Sequence, residues 1–406
     1  MNIRTFAKDG HWPTLFSSFL YFDVSFMIWV LLGAVSTFIT ADFGLSASQK
    51  GMLVGIPILG GALLRIPLGL FADRYGGKRV GLIGMAVTMI PLLWGWLYGQ
   101  HLSELYAFGL LLGVAGASFS VALPLASRWY RPEHQGLAMG IAGAGNSGTV
   151  LATLFGPRLA EHFGWHAVFG FALLPLFAAF LVFLLCVKES PNRPQPQKIV
   201  EYLTITKRKE TWLFSFFYSL SFGGFVGLTS YLSLFFVDQY GISKVQAGDF
   251  VTLIVFGGSF IRPIGGYLAD RFGGSNLLVR LFALAGLVLI GVGFLPTFWV
   301  CFVLLFLTLL LFGACNGSLF QVVPTRFPRE VGVMTGFIGA AGGLGGFFVP
   351  MILGTLKDWT GSYSYGFWWF ALTAFAAMVV LIALQRDWKR QASLLTSTVQ
   401  TKAKAT

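Results

Sequence analysis

Charge is what this sequence has least of. Only 11% of its 406 residues are Asp, Glu, Lys or Arg, against about a quarter in soluble domains. So few charges cannot cover a water-facing surface, which excludes a soluble globular fold and makes lipid the main solvent. Acidic residues are scarcest: 16 Asp and Glu stand against 28 Lys and Arg, a net charge of +12. That excess does not read as nucleic-acid binding, because no basic helix or basic–aromatic interleaving of the kind that follows a phosphate backbone is present. Cysteine is sparse too. Cys186, Cys301 and Cys315 each lie inside an apolar run, at spacings that suit neither a disulfide framework nor a metal site, so they read as packing residues. His162 and His166 are interrupted by Gly164 at a loop and have no third ligand near, so no metal is expected. No nucleophile–base pair, phosphate loop or redox motif is found; neither enzymatic activity nor a cofactor is expected.

What is abundant is apolar. Hydrophobic residues make up 56% of the chain, with 42 Phe, 12 Trp and 51 Gly, a composition in which helices anchor through aromatics and pack through small residues. At roughly 20 residues per crossing, the chain has room for about twelve spans. They fall near 12–40, 50–72, 80–98, 102–127, 134–157 and 164–187, then 211–237, 246–269, 276–296, 298–325, 332–356 and 363–384. The first apolar run is too long, and lacks the small-residue pattern, for a cleavable signal. The predicted organisation is a six-helix half over 1–187, a polar cytoplasmic linker over 188–210, a second half over 211–385, and a basic cytoplasmic tail over 386–406 that is expected to be disordered. With an even number of spans and both ends on one face, that face collects 22 of the 28 Lys and Arg and the other only four, Lys50, Arg158, Lys244 and Lys357. The positive-inside rule then puts both termini in the cytoplasm. The fold class is an all-α, multi-pass protein of the inner (plasma) membrane.

The two remaining cations are Arg65 and Arg262, each buried in an apolar run and each followed eight residues later by an Asp-Arg pair: GGALLRIPLGLFADRYGGKR and GGSFIRPIGGYLADRFGG. Arg65 lies roughly 10 Å inside its helix, about seven residues from the helix end. A guanidinium keeps its proton there, and an arginine near mid-bilayer costs about 2.5–3.5 kcal/mol on insertion scales. A lone arginine of this kind reads equally as a structural ion pair or a snorkelling side chain; two at matching places in a repeat read as a pathway. The repeat extends further, LGVAGASFSVALP matching FGACNGSLFQVVP and GLAMGIAGAGNSG matching GVMTGFIGAAGG. Asp23 is the one clear carboxylate within the spans. One carboxylate cannot balance two guanidiniums, so a small anion is the expected ligand, and parallel guanidinium donors suit a planar oxyanion such as nitrate, nitrite or a carboxylate. Glycine rows mark span five (Gly136, Gly140, Gly143, Gly148) and span eleven (Gly332, Gly336, Gly339, Gly343, Gly346). Close helix packing accounts for them, but not for Asn146 within AGAGNSG, whose amide suits an anion oxygen or a neighbouring helix equally well. Asp73, Arg74, Asp270 and Arg271 stand at helix ends and are expected to latch the halves in one state.

The loop GLFADRYGGKR and its echo GYLADRFGG resemble the signature of the major facilitator superfamily. AGAGNSG, GAAGGLGG and the paired arginines are similar to its nitrate/nitrite porter family, over essentially the whole chain. The resemblance implies that Arg65 and Arg262 clamp the anion, with Asn146, Tyr218, Phe119 and Phe222 lining it. It also implies that glycine-rich helices, through Gly140, Gly143, Gly145, Gly336, Gly339 and Gly343, slide during alternating access. Where span five has Asn146, span eleven has glycine, so only one half offers the amide. The expected activity is exchange of nitrate and nitrite by a monomer. Nitrate–proton symport, with Asp23 as the coupling group, is the alternative; an organic-anion transporter and a non-transporting sensor are weaker ones.

Overall fold

The computed structural model describes residues 10–191, 204–327 and 331–405. Among these the chain is helical, with no strand. Among the described residues ten helical stretches are long and apolar enough to cross a bilayer; the other two crossings, the first and the fifth, are broken into shorter segments. We number the crossings α1 to α12. α1 comprises Trp12–Trp29, Leu31–Ala34 and Ser36–Phe43; α2 is Ala47–Tyr75; α3 is Gly77–Leu97; α4 joins Leu102–Gly116 to Phe119–Ser127. α5 comprises Pro132–Gly143, the tight turn Ala144–Ser147 and Gly148–Phe163, and α6 is Trp165–Cys186. α7 runs Lys209–Tyr218, through a wide turn at Ser219–Gly223, to Gly224–Tyr240; α8 is Lys244–Phe272; α9 is Gly274–Gly293; α10 is Phe298–Arg326; α11 is Val331–Thr360; α12 is Ser364–Ala405.

The helix ends follow from local chemistry. Ser46 and Gln49 form a reciprocal capping box at the start of α2, which satisfies two backbone donors that a helix start leaves free. Gly44, Gly241 and Gly361 adopt positive φ where helices stop, a conformation that costs glycine nothing. The hydroxyl of Ser36 donates to the Gly33 carbonyl at 2.6 Å, and such back-bonding bends a helix; α1 breaks at Val30 and Val35 on either side of it. The sequence predicted the last span to stop near 384 and the tail to lack structure. α12 instead continues through Ala405, in a stretch free of Gly and Pro and rich in helix formers. Most of the predicted linker, residues 192–203, lies outside the described residues.

The two halves meet along glycine seams on the face away from the termini. A Cβ on Gly51 would overlap the Pro350 carbonyl oxygen, and one on Gly354 the Ala47 carbonyl oxygen, so α2 and α11 touch backbone to backbone. Gly248 of α8 sits against Thr153 and Pro157 of α5 in the same way. The sequence reading missed the charges that close this face. Lys50 pairs with Asp238 at 2.6 Å and Arg158 with Asp249 at 2.6 Å, while Asp358 accepts from the Ala47 and Ser48 N–H groups at the start of α2. On the terminal face the anticipated latch is not made between halves. Asp73 pairs with Arg128 of α4 in its own half, and Asp270, Arg271 and Arg74 are exposed. Gly140 of α5 has no neighbour within 4 Å of a notional Cβ, and Gly143 only Leu123. Among the described residues the two halves are therefore sealed on one side and parted on the other.

Candidate anion site

Arg65 is 2% exposed. Its Nε donates to the Gly116 carbonyl at 3.4 Å and Nη1 to the Gly339 carbonyl at 2.5 Å, while Nη2 is buried without a partner. Each acceptor has a local cause. In α4 the chain tightens at Ala117–Ser118, so that Ser120 N–H bonds the Ala117 carbonyl; the Gly116 carbonyl one residue earlier is thereby left for the guanidinium. In α11, Gly339 and Gly343 carry no side chains, and the backbone lies bare to a helix from the other half. A Cβ on Gly339 would stand 3.8 Å from the Phe119 ring and 4.0 Å from Arg65 Nη1.

Aromatic faces surround the cation. The guanidinium carbon lies 5.0 Å from the Phe222 ring, 5.3 Å from Trp29 and 5.5 Å from Phe119. Cation–π contacts of this kind contribute about 0.5–2 kcal/mol each once desolvated. Trp29 is held by its indole N–H, which donates to the Pro57 carbonyl at 2.6 Å, and is flanked by Gly61 and Gly116, where any Cβ would overlap its ring.

From Arg65 a chain of rings leads to the second arginine. Phe222 stacks on Tyr218 at 4.9 Å with the planes 8° apart, Tyr218 meets Phe320 edge-on at 5.2 Å, and Phe320 lies 5.5 Å beneath the Arg262 guanidinium. Tyr218 immediately precedes the wide turn of α7 and Phe222 lies within it, a feature frequent at functional positions. α11 admits that turn through Gly342, which faces both rings, and through Gly345 and Gly346, which face its backbone; Ser219 also donates to the Ala341 carbonyl at 2.7 Å. The two guanidiniums and the Tyr218 hydroxyl lie within electrostatic range of one another. Among the described residues, no carboxylate forms an ion pair with either arginine.

The structure thus gathers Arg65, Arg262, Tyr218, Phe119, Phe222 and Gly339 in one place. Asn146, 7% exposed, sits in the tight turn of α5. That turn packs on α1 and reaches α8, and the Asn146 carbonyl accepts from the Thr149 hydroxyl at 2.9 Å. Gly145 and Gly148 serve contact with α1, since Cβ atoms there would overlap Phe22 and the Asp23 backbone. Gly343 packs on Ala62 of α2, and Gly336 lies one turn before Gly339 on α11. Asp23 is occupied elsewhere: the Ser147 hydroxyl donates to it at 2.8 Å and the Gly148 N–H bonds it too. It holds the start of the second α5 segment, as a helix-capping carboxylate does.

Sequence reasoning missed Trp29, Phe320 and the two carbonyls. The repeat alignment sets Leu319 opposite Phe119, so the stacking ring of the second half is displaced by one residue. Trp29 stood among twelve tryptophans with no motif around it.

The engagement of Asp23 carries a prediction. Asp23→Ala leaves the Ser147 hydroxyl and the Gly148 N–H without their acceptor and is expected to destabilise the protein by about 1–3 kcal/mol. Asp23→Asn, which retains an acceptor, is expected to leave the pH dependence of uptake unchanged. Thermal melting and uptake at two external pH values check the pair.

The model of the Major Facilitator Superfamily matches residues 17–350. Similar proteins include a nitrite extrusion protein of Bacillus subtilis, 33% identical and covering 88% of this chain and 90% of its own. A probable nitrate/nitrite transporter, NarK2, of Mycobacterium tuberculosis is 34% identical over 82% and 86%, and a probable nitrate/nitrite antiporter, NarK1, of Thermus thermophilus 31% identical over 86% and 85%. Among solved structures, a D-xylose–proton symporter superposes with a TM-score of 0.72 at 14% identity, covering 91% of this chain and 96% of its own; that likeness speaks for the fold alone. The chain belongs to the major facilitator superfamily and, within it, to the nitrate/nitrite porter family.

Proposed function

We propose that the protein is a secondary transporter that exchanges nitrate and nitrite across the cytoplasmic membrane, with both termini in the cytoplasm. The observation that carries this reading is the buried Arg65 guanidinium, paired with no carboxylate and holding one N–H group in reserve. An anion between Arg65 and Arg262 gains about 4 kcal/mol per charge pair at 4 Å in a surface-like dielectric, before desolvation. It also cancels the repulsion of the two cations, so the loaded site closes more readily than the empty one and turnover depends on cargo. Tyr218, Phe119 and Phe222 wall the site, and Asn146 approaches from α5. Three relatives whose names specify nitrite extrusion or nitrate/nitrite transport support the choice of anion.

Exchange is favoured over proton symport because Asp23, the one clear carboxylate within the spans, is spent on α5. Exchange also avoids driving a lone anion against an inside-negative potential, about 2.3 kcal/mol per 100 mV. In proteoliposomes, nitrate uptake is expected to rise at least tenfold when nitrite is loaded inside and to ignore an imposed pH gradient. Uptake into anion-free vesicles that follows the pH gradient would establish symport instead. No saturable nitrate or nitrite binding under any gradient would remove the anion assignment itself.

A further inference from the structure

Three buried polar side chains on the helices around the second arginine, α7, α8 and α10, have no hydrogen-bond partner. Asn316 of α10 is 3% exposed and its Oδ1 has no hydrogen-bond partner. The hydroxyls of Ser221, in the wide turn of α7, and Ser259, one turn before Arg262 on α8, are likewise buried and unpartnered. A buried amide oxygen left unsatisfied costs about 1–3 kcal/mol, which native proteins rarely leave without a purpose.

Its neighbours locate Asn316. Residues four apart share a helix face. On one α10 face, Phe312 packs against Gly224 and Phe320 against Tyr218, so this face looks onto α7. On the adjoining face, Gly313 meets the Gly258 carbonyl and Gly317 the Arg262 carbonyl, so that face looks onto α8. Asn316 falls between Phe312 and Phe320 on the first face and beside Gly317 on the second. It is therefore directed at the crevice between α7 and α8, where Arg262, Tyr218 and Ser221 lie. In the repeat, position 316 corresponds to Gly116, whose carbonyl receives Arg65 Nε. The first half supplies its arginine with a backbone acceptor; the second half places a side-chain amide at the matching position.

We propose that Asn316 is a specificity-determining residue of the anion site. With the anion bound, its oxygen accepts from the Arg262 guanidinium and its NH2 donates to an oxygen of the anion. An amide carries an acceptor and two donors on a single neutral planar group, and can serve a cation and an anion together. The proposal rests on the anion site proposed above and adds a discrimination to it. Two guanidiniums engage two oxygens of a planar anion. Nitrate has a third oxygen for the Asn316 amide and nitrite has none.

The test compares the nitrate and nitrite dissociation constants of purified wild type, Asn316→Leu and Asn316→Asp. The leucine keeps the volume and removes both hydrogen-bonding functions. It is expected to weaken nitrate about tenfold, the worth of one hydrogen bond to a charged group, and nitrite less than threefold. The aspartate keeps the acceptor and the shape but adds a negative charge beside Arg262, and is expected to weaken both anions at least tenfold. A merely structural asparagine would leave the ratio of the two constants unchanged. An unchanged ratio in the leucine variant, or an aspartate variant that binds both anions as wild type does, overturns the proposal. Should the leucine variant fail to fold, the aspartate variant decides alone. Wild type that binds neither anion would instead remove the underlying site, an outcome distinct from both.

Discussion

Arg65→Met is expected to remove at least two thirds of the thermal stabilisation that nitrate confers while leaving the melting temperature of the empty protein within a few degrees of wild type. The two halves of this result have separate causes. In the empty protein, the substitution removes a buried cation whose desolvation penalty is several kcal/mol. It also removes two hydrogen bonds to carbonyls and three cation–π contacts, which together restore a comparable amount. Methionine fills an irregular aromatic cage well, so the balance is small. Nothing offsets the loss on the anion side. Removing one partner of a buried, hydrogen-bonded charge pair costs about 2–5 kcal/mol, or roughly 30-fold to several thousandfold in affinity. Wild type at one hundred times its dissociation constant gains about 2.7 kcal/mol of stability; at the same nitrate concentration the variant gains less than about 1 kcal/mol. Arg65→Lys sharpens the point. It keeps the charge but not the planar fork, and it cannot reach Gly116, Gly339 and an anion with the same geometry. At least 30-fold weaker nitrate binding is expected. A lysine variant that binds within threefold of wild type would show that a point charge suffices and that the orientation of the guanidinium is incidental.

The sequence made the spans and the arginines legible for one physical reason: both signals are energetic extremes. Twenty apolar residues have no stable home but lipid or a protein core, and an arginine within them is too costly to be incidental. Two such arginines at repeat-related positions implied proximity, and in the structure a chain of rings from Phe222 to Phe320 runs from one to the other. The finer partners were illegible because they are not side-chain signals. The Gly116 and Gly339 carbonyls belong to the backbone, and their availability depends on a tightened turn in α4 and a bare stretch of α11. The charges that seal the far face were illegible for another reason. Lys50, Asp238, Arg158 and Asp249 stand at ordinary helix ends, where one charge more or less is unremarked. Only the packing of α2 on α7 and of α5 on α8 brings them together. Asp23 was legible as an isolated carboxylate in a span, but its partners Ser147 and Gly148 were not, because they come from a turn in α5 far along the chain.

Gly51→Val is expected to leave nitrate affinity within about threefold of wild type and to lower exchange at least one-hundredfold. The seam between α2 and α11 is backbone against backbone. At Gly51 and Gly354 a Cβ would collide with a carbonyl oxygen of the facing helix, which is part of a rigid helical ladder and cannot swing aside as a side chain would. Overpacking of this kind costs about 1–3 kcal/mol in a core that can relax. Here it falls wholly on the conformation in which the two helices touch, because in the alternative conformation they are apart. A bias of 3 kcal/mol shifts a two-state balance by about 150-fold, enough to hold the far face open. Gly51 is fourteen residues from Arg65 along α2, roughly 21 Å at 1.5 Å per residue, so the site itself is untouched and binds from the open face. Turnover stops because the loaded transporter cannot pass through the sealed form. Retained binding with lost exchange separates this outcome from misfolding. Exchange within a fewfold of wild type would mean that α2 and α11 need not close to this distance during transport, and that the far face is sealed by the Lys50–Asp238 and Arg158–Asp249 pairs without them.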